Sequence, residues 1–229
     1  VSRDRSGLTL PVNEIFPTIQ GEGSFTGTPA WFVRVQGCPV GCGWCDTKHT
    51  WHVRDDELRS FTEVAAKAGQ AEPTYSVAAL EEIRAAMLKR PNVRHVVISG
   101  GEPCMYDLVP LTTRLLEDGF TVQVETSCTA HAQVHERTWI TGSPKFDMPG
   151  GREVLTEMLA RANEIKHPVG KQADIDRLVA RVLPHIRPGV PVYLQPLSQS
   201  PKATALCVET ALAMGVRVSV QTHKFIGVR

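Results

Sequence analysis

No stretch of this chain approaches the roughly 20 consecutive apolar residues that a membrane-crossing helix needs. The first ten residues carry charges with no apolar run behind them, so a secretory signal is not expected. A surplus of charge of one sign is missing as well. Lys and Arg number 25 against 24 Asp and Glu, which leaves no global field for nucleic acid or an anionic membrane. An anionic substrate would have to meet a few placed cations. Internal repeats and low-complexity linkers are absent too, and 229 residues suit one domain.

Cysteine is scarce and unevenly spread. Three of the six crowd into Gly37-Cys-Pro-Val-Gly-Cys-Gly-Trp-Cys-Asp-Thr47, while Cys104, Cys128 and Cys207 stand alone as small buried hydrophobes. A secreted disulfide scaffold would be smaller and more evenly cysteine-rich, so the triplet reads as a cytosolic metal or cluster site.

Short β-rich runs alternate with helical patterns. Trp31–Gln36, His95–Ser99 and Thr121–Glu125 read as strands, with shorter candidates at Trp139–Thr141, Glu164–Lys166, Val192–Gln195 and Val216–Gln221. Val77, Leu80, Ile83 and Met87 recur at helical spacing, as do Leu108, Leu111 and Leu115. The alternation predicts an α/β fold on a parallel sheet, a barrel or part of one. Such folds collect ligands at the C-terminal ends of the strands. Those ends carry Gly37-Cys38, Ser99-Gly-Gly-Glu-Pro103, Glu125-Thr-Ser127, Ser143-Pro-Lys145 and Gln195-Pro196.

The C-x3-C-x2-C spacing of Cys38, Cys42 and Cys45 supplies three thiolates to a 4Fe–4S cluster, leaving one iron open. An open iron can chelate the amino and carboxylate groups of S-adenosylmethionine, and an electron from the cluster then breaks the sulfonium bond. Zinc completed by His49 fits the same spacing. Glycines such as Gly100 and Gly101 permit close backbone approach to a ligand. Ser127, Ser143 and Lys145 offer hydroxyls and an ammonium to a ribose and a carboxylate.

The cysteine spacing followed by Gly-Gly-Glu-Pro resembles the radical S-adenosylmethionine superfamily. Glu14-Ile-Phe-Pro-Thr-Ile-Gln-Gly-Glu-Gly23, Cys45-Asp-Thr-Lys-His-Thr-Trp51, Glu164-Ile-Lys-His-Pro168, Leu194-Gln-Pro-Leu-Ser198 and Gln221-Thr-His-Lys224 extend the likeness to the 7-carboxy-7-deazaguanine synthase family. That resemblance implies a modified, incomplete (β/α) TIM-like barrel with parallel strands. Within a single 1–229 domain, residues 1–30 would form a substrate-binding extension and 48–75 an insertion after the cluster loop. It further implies contraction of 6-carboxy-5,6,7,8-tetrahydropterin to 7-carboxy-7-deazaguanine in queuosine biosynthesis. A cytoplasmic homodimer, Mg2+ and a reductant such as a flavodoxin belong to the same expectation.

Carried over residue by residue, Thr47 would hold magnesium. Trp44, Asp46, Gly100, Gly101, Glu102, Ser127, Ser143, Lys145 and Gln195 would hold S-adenosylmethionine. Ile19, Gln20, Gly21, Glu22, Arg34 and Ser99 would meet the pterin, with a capping role as the other reading of Glu22. Arg34 stands on the opposite strand face from Trp31, Val33 and Val35, where a bidentate clamp on the substrate carboxylate would give it a partner. A glycyl-radical-enzyme activating protein shares the cysteine spacing and glycine turn, and would not need Gln20 or Arg34.

Overall fold

The computed structural model describes residues 8–67 and 71–228. Residues 1–7 of the expected extension, 68–70 of the expected insertion, and Arg229 lie outside the described residues. Among the described residues, nine strands form one open sheet: β1 (Thr9–Ile19), β2 (Pro29–Val35), β3 (Ser76–Ala79), β4 (His95–Gly100), β5 (Thr121–Thr126), β6 (Trp139–Gly142), β7 (Glu164–Val169), β8 (Val192–Pro196) and β9 (Arg217–Val218). Their order is β3-β1-β2-β4-β5-β6-β7-β8-β9. Every neighbouring pair from β2 to β9 is parallel, whereas β1 runs antiparallel to both β2 and β3. The sheet stays open between β3 and β9, which agrees with an incomplete barrel.

Among the described residues, seven helices accompany it: α1 (Phe61–Ala65), α2 (Leu80–Leu88), α3 (Val109–Glu117), α4 (Thr156–Arg161), α5 (Gln172–Arg181), α6 (Pro201–Met214) and α7 (Thr222–Ile226). Helices α3, α4, α5 and α6 pack beside β5, β6, β7 and β8 respectively. The helical spacing explains which face they bury. Leu111 and Leu115 of α3, Ile175 and Leu178 of α5, and Ile83 and Met87 of α2 are buried in the one core, together with Trp31, Val33 and Val35 of β2. Phe32 and Arg34 point to the other face of β2, which lines a cavity. Among the described residues, no helix is long and apolar enough to cross a membrane.

Three expectations need correction. Val77 belongs to β3 rather than to a helix, because it pairs with Pro11 at the sheet edge; α2 begins at Leu80. The Val216–Gln221 strand contracts to Arg217–Val218, and Gln221 turns the chain into α7. The eleven-residue β1 was not foreseen, since Pro11 and Pro17 interrupt the run and Asn13 and Glu14 break its apolar character.

Candidate active site

The parallel strands direct their C-terminal ends into a cavity of about 350 Å³. Every site residue expected from the sequence lines it except Gly21. The carbonyl of Gly21 accepts from the backbone N–H and the hydroxyl of Thr222, at 3.0 and 3.1 Å. A Cβ on Gly21 would stand 2.1 Å from Nδ1 of His223. Gly21 therefore binds the wall to α7 and does not itself line the cavity.

The cysteine loop leaves β2 at Gly37 and is pinned on both flanks. Gly37 and Cys38 donate to the carbonyls of Thr50 and Trp51 at 2.6 and 3.0 Å, and Cys45 N–H donates to Cys42 at 3.0 Å. All three loop thiols are free, partly buried and open to the cavity. Burial pushes the Cys38 thiol up to about 11 and raises that of Cys42, so iron ligation must release protons there. Among the described residues, no three His, Cys, Asp or Glu side chains converge on one metal ion. A tetrahedral zinc site needs such convergence, whereas a cubane takes each thiolate at a different corner. His49 does not line the cavity. The donor set fits a cluster.

The glycine turn has a different cause from the one expected. A Cβ on Gly100, at φ +111°, would sit 2.4 Å from Val35 N, and one on Gly101 would sit 2.0 Å from the Gly37 carbonyl oxygen. The turn is bare because it crosses the cysteine strand, not only because a ligand approaches. Gly101 N–H donates to Val35 and Glu102 N–H to Gly37, each at 2.9 Å, which locks the turn to the loop. Glu102 is buried and wholly engaged. Its carboxylate accepts from Cys104 N–H (3.0 Å), Thr126 Oγ1 (2.7 Å), Ser127 N–H (2.8 Å) and Ser127 Oγ. It ties the ends of β4 and β5 together.

Further round the rim, Lys145 Nζ donates to the carbonyl and hydroxyl oxygens of Ser143, the former at 2.9 Å. Burial lowers its pKa, so an anionic ligand group would favour its charged form. Gln195 Oε1 is buried with no protein partner and lines the same cavity. It is an acceptor awaiting a donor.

At the wall made by β1 and β2, Arg34 stands opposite Glu14 in the antiparallel register and beside Ser99 in the parallel one. Its Nε donates to Glu14 Oε1 at 2.6 Å. The ion pair uses one edge of the guanidinium fork, so a substrate carboxylate would meet the terminal amino groups. Phe16 and Phe32, paired across the same strands, stack with centroids 5.7 Å apart. Both line the cavity and were not foreseen.

The same cavity holds a buried charge cluster that the sequence reading missed. Lys166 Nζ of β7 contacts Glu22 Oε2 and lies 3.3 Å from Glu125 Oε1 of β5. Glu22 Oε1 also accepts from Gln221 Nε2 at 2.7 Å and from Gln195 Nε2 at 3.4 Å. Glu22 makes no helix-capping bond, so the capping alternative falls. Burial alone would raise its pKa, but Lys166 overrides that and holds the carboxyl down at about 2. For Lys166, burial opposes the charge, and Glu125 and Glu22 outweigh it, raising the pKa. Gln20 braces the group. Its Nε2 donates to Gln123 and Glu125, each at 3.2 Å, and its Oε1 accepts from Glu22 N–H at 3.2 Å. Its amide is thus largely committed to protein rather than free to read a pterin edge.

A three-thiol loop at the mouth of an open parallel sheet, bonded to a Gly-Gly turn, defines a radical S-adenosylmethionine domain, and a model described as "Radical SAM superfamily" matches residues 32–139. The 7-carboxy-7-deazaguanine synthase of Escherichia coli (strain K12) is 49% identical over 224 residues, covering 96% of this chain and 100% of the relative. That of Buchnera aphidicola subsp. Schizaphis graminum is 38% identical, covering 97% and 100%. A crystal structure of QueE from Escherichia coli superposes with a TM-score of 0.88 at 46% identity, over 96% of this chain and 98% of that one. The chain belongs to the 7-carboxy-7-deazaguanine synthase family.

Proposed function

We propose that this protein is a lyase converting 6-carboxy-5,6,7,8-tetrahydropterin to 7-carboxy-7-deazaguanine with loss of ammonia. The carrying observation is the polarity of the cavity. Arg34 stands on β2, and Glu125 on β5, two strands along the same rim, where Lys166 joins it to Glu22. The carboxypterin has the complementary polarity: a carboxylate at one end and the N–H donors of its aminopyrimidinone ring at the other. Arg34 would pair the carboxylate, and the two glutamates would accept from the ring. The aromatic pair Phe16 and Phe32 offers an apolar surface beside Arg34 on the same two strands.

Cys38, Cys42 and Cys45 would hold a 4Fe–4S cluster. Gly100, Gly101, Ser143, Lys145 and Gln195 would hold S-adenosylmethionine, with the orphaned Oε1 of Gln195 gaining a donor. So bound, the cluster and cofactor would supply the radical chemistry that takes a hydrogen atom from C6 of the pterin. The protein's own part is to fix that carbon, exclude water and hold charge at both ends. Thr47, beside Cys45 at 3.5 Å, would hold Mg2+ against the substrate carboxylate.

Family resemblance supports the remaining inferences. The enzyme acts as a cytoplasmic homodimer, draws electrons from a reductant such as a flavodoxin, and feeds queuosine formation. Residues 1–30 act as a substrate-binding extension, a reading supported by Ile19, Gln20 and Glu22 in the cavity wall, and 48–75 as an insertion.

Anaerobically reconstituted protein, given carboxypterin, S-adenosylmethionine and dithionite, is expected to form 7-carboxy-7-deazaguanine, read by mass spectrometry. Cofactor cleavage that proceeds while no deazaguanine forms would refute the substrate. Stoichiometric zinc without iron or labile sulfide would refute the chemistry altogether.

A further inference from the structure

Lys166 has no assigned role, and its surroundings are unusual for a lysine. Its side chain is 6% exposed, and the ammonium sits between two carboxylates from distant parts of the chain. Glu22 comes from the loop after β1, and Glu125 from the end of β5. All three line the cavity. An ammonium in this position cannot be spectator packing. A buried charge needs a partner, and two carboxylates this close need a cation between them.

We propose that Lys166 is a positioning residue for the pterin: it fixes Glu22 and Glu125 as a pair of charged acceptors facing the donor edge of the substrate ring. The inference rests on the carboxypterin reading above. Two acceptors would suit a ring edge carrying N–H and NH2 groups. A protonated glutamate in either place would set donor against donor. The cluster of three carries one net negative charge, two strands along from the Arg34 cation, and the separation of sign turns the substrate one way round.

The groups facing Glu22 are Lys166 from β7, His223 of α7, and the amides of Gln195 and Gln221. Those facing Lys166 are Glu22, Glu125 and, farther off, Glu164 and Lys145. Lys166 supplies the largest offset to the burial of Glu22, as a charge in direct contact, with the neutral Gln221 amide and His223 adding less. Removing it leaves burial in command, and the carboxyl pKa must rise. Substrate affinity then falls as pH falls through the new value.

The test is anaerobic equilibrium binding of carboxypterin, and KM against kcat, from about pH 6 to pH 8.5 for wild type, Lys166→Met and Lys166→Arg, a range where the ordinary carboxylate is fully ionised. Lys166→Met is expected to bind about tenfold to a hundredfold more weakly at the acid end, the scale of one or two lost charge-assisted hydrogen bonds, and to recover towards the alkaline end. Lys166→Arg should restore a profile parallel to wild type. His223 feels both Lys166 and Glu22, so each profile is repeated in a His223→Gln background, where the acid-dependent weakening should persist. If Lys166→Met does not fold, Lys166→Met/Glu125→Gln removes one carboxylate with its counter-charge, and the same acid-dependent weakening is expected from Glu22 alone. A variant profile parallel to wild type, or a loss confined to kcat, overturns the clamp. Wild type that neither binds nor converts carboxypterin overturns the substrate reading instead.

Discussion

Gly101→Ala isolates the crossing of the glycine turn with the cysteine loop. The added Cβ would lie 2.0 Å from the Gly37 carbonyl oxygen and 2.6 Å from its carbon, both main-chain atoms that cannot swing aside. Relief requires the two strands to part. That breaks the Gly101–Val35 and Glu102–Gly37 hydrogen bonds, each 2.9 Å in the native fold. Two buried bonds at about 0.5–1.5 kcal/mol each, with an overpacking cost of about 1–3 kcal/mol, give roughly 2–6 kcal/mol. At about 2–4 °C per kcal/mol for a chain of this size, Tm should fall by roughly 4–24 °C. Differential scanning calorimetry reads the fall, and iron and sulfide content of the reconstituted protein reads the displaced loop. Gly119→Ala is the control: its Cβ meets nothing within 4 Å, so only its φ of +82° is strained, at about 1–2 kcal/mol. If Gly101→Ala melts no lower than Gly119→Ala and takes up a full cluster, the crossing does not hold the loop.

Other outcomes follow from the same geometry. Arg34→Ala should weaken carboxypterin binding by about tenfold to a hundredfold while leaving the cluster spectrum unchanged, since the fork contacts no cysteine; unchanged affinity in a titration would reject the clamp. His167 is buried, and desolvation holds its pKa down at about 4. The folded state therefore binds fewer protons than the unfolded state between about pH 4 and the ordinary histidine value of about 6.5. Stability should be full above that window and fall on acidification through it, by up to about 3 kcal/mol. Urea titrations of His167→Gln should show a shallower pH slope there, and an unaltered slope would assign the acid sensitivity elsewhere.

The parallel strands were readable because each is a short apolar run ending in glycine or a polar turn, as in His95–Gly100. The rule that ligands gather at the C-terminal ends of parallel strands is enough to put the cysteine loop, the glycine turn, Ser143 and Lys145 on one rim. β1 resisted because its register is imposed by β2 and β3, and tertiary pairing overrode two prolines. Lys166 resisted for a related reason. In sequence it is one cation among apolar neighbours, and its meaning depends on Glu22 and Glu125 arriving from far away in the chain. Cys128 shows the reverse case: it holds φ +62°, a conformation that glycine adopts at little cost, while its buried thiol fills space beside Gly142.

The union of Gly21 and Glu22 with Thr222 and Gln221 also sets an order of assembly. The glycine turn meets the cysteine loop across about 65 residues, whereas these contacts close loops of 199 and 201 residues. The longer closure costs about 1 kcal/mol more in chain entropy for each such encounter. The cofactor side of the cavity can therefore form while the pterin side still gapes. In the native protein the same inequality favours opening from α7 first. Amide exchange should thus run faster at Thr222 than at Gly101 and Glu102, and a protease admitted near α7 would strip the molecule of its substrate wall while sparing the thiol loop.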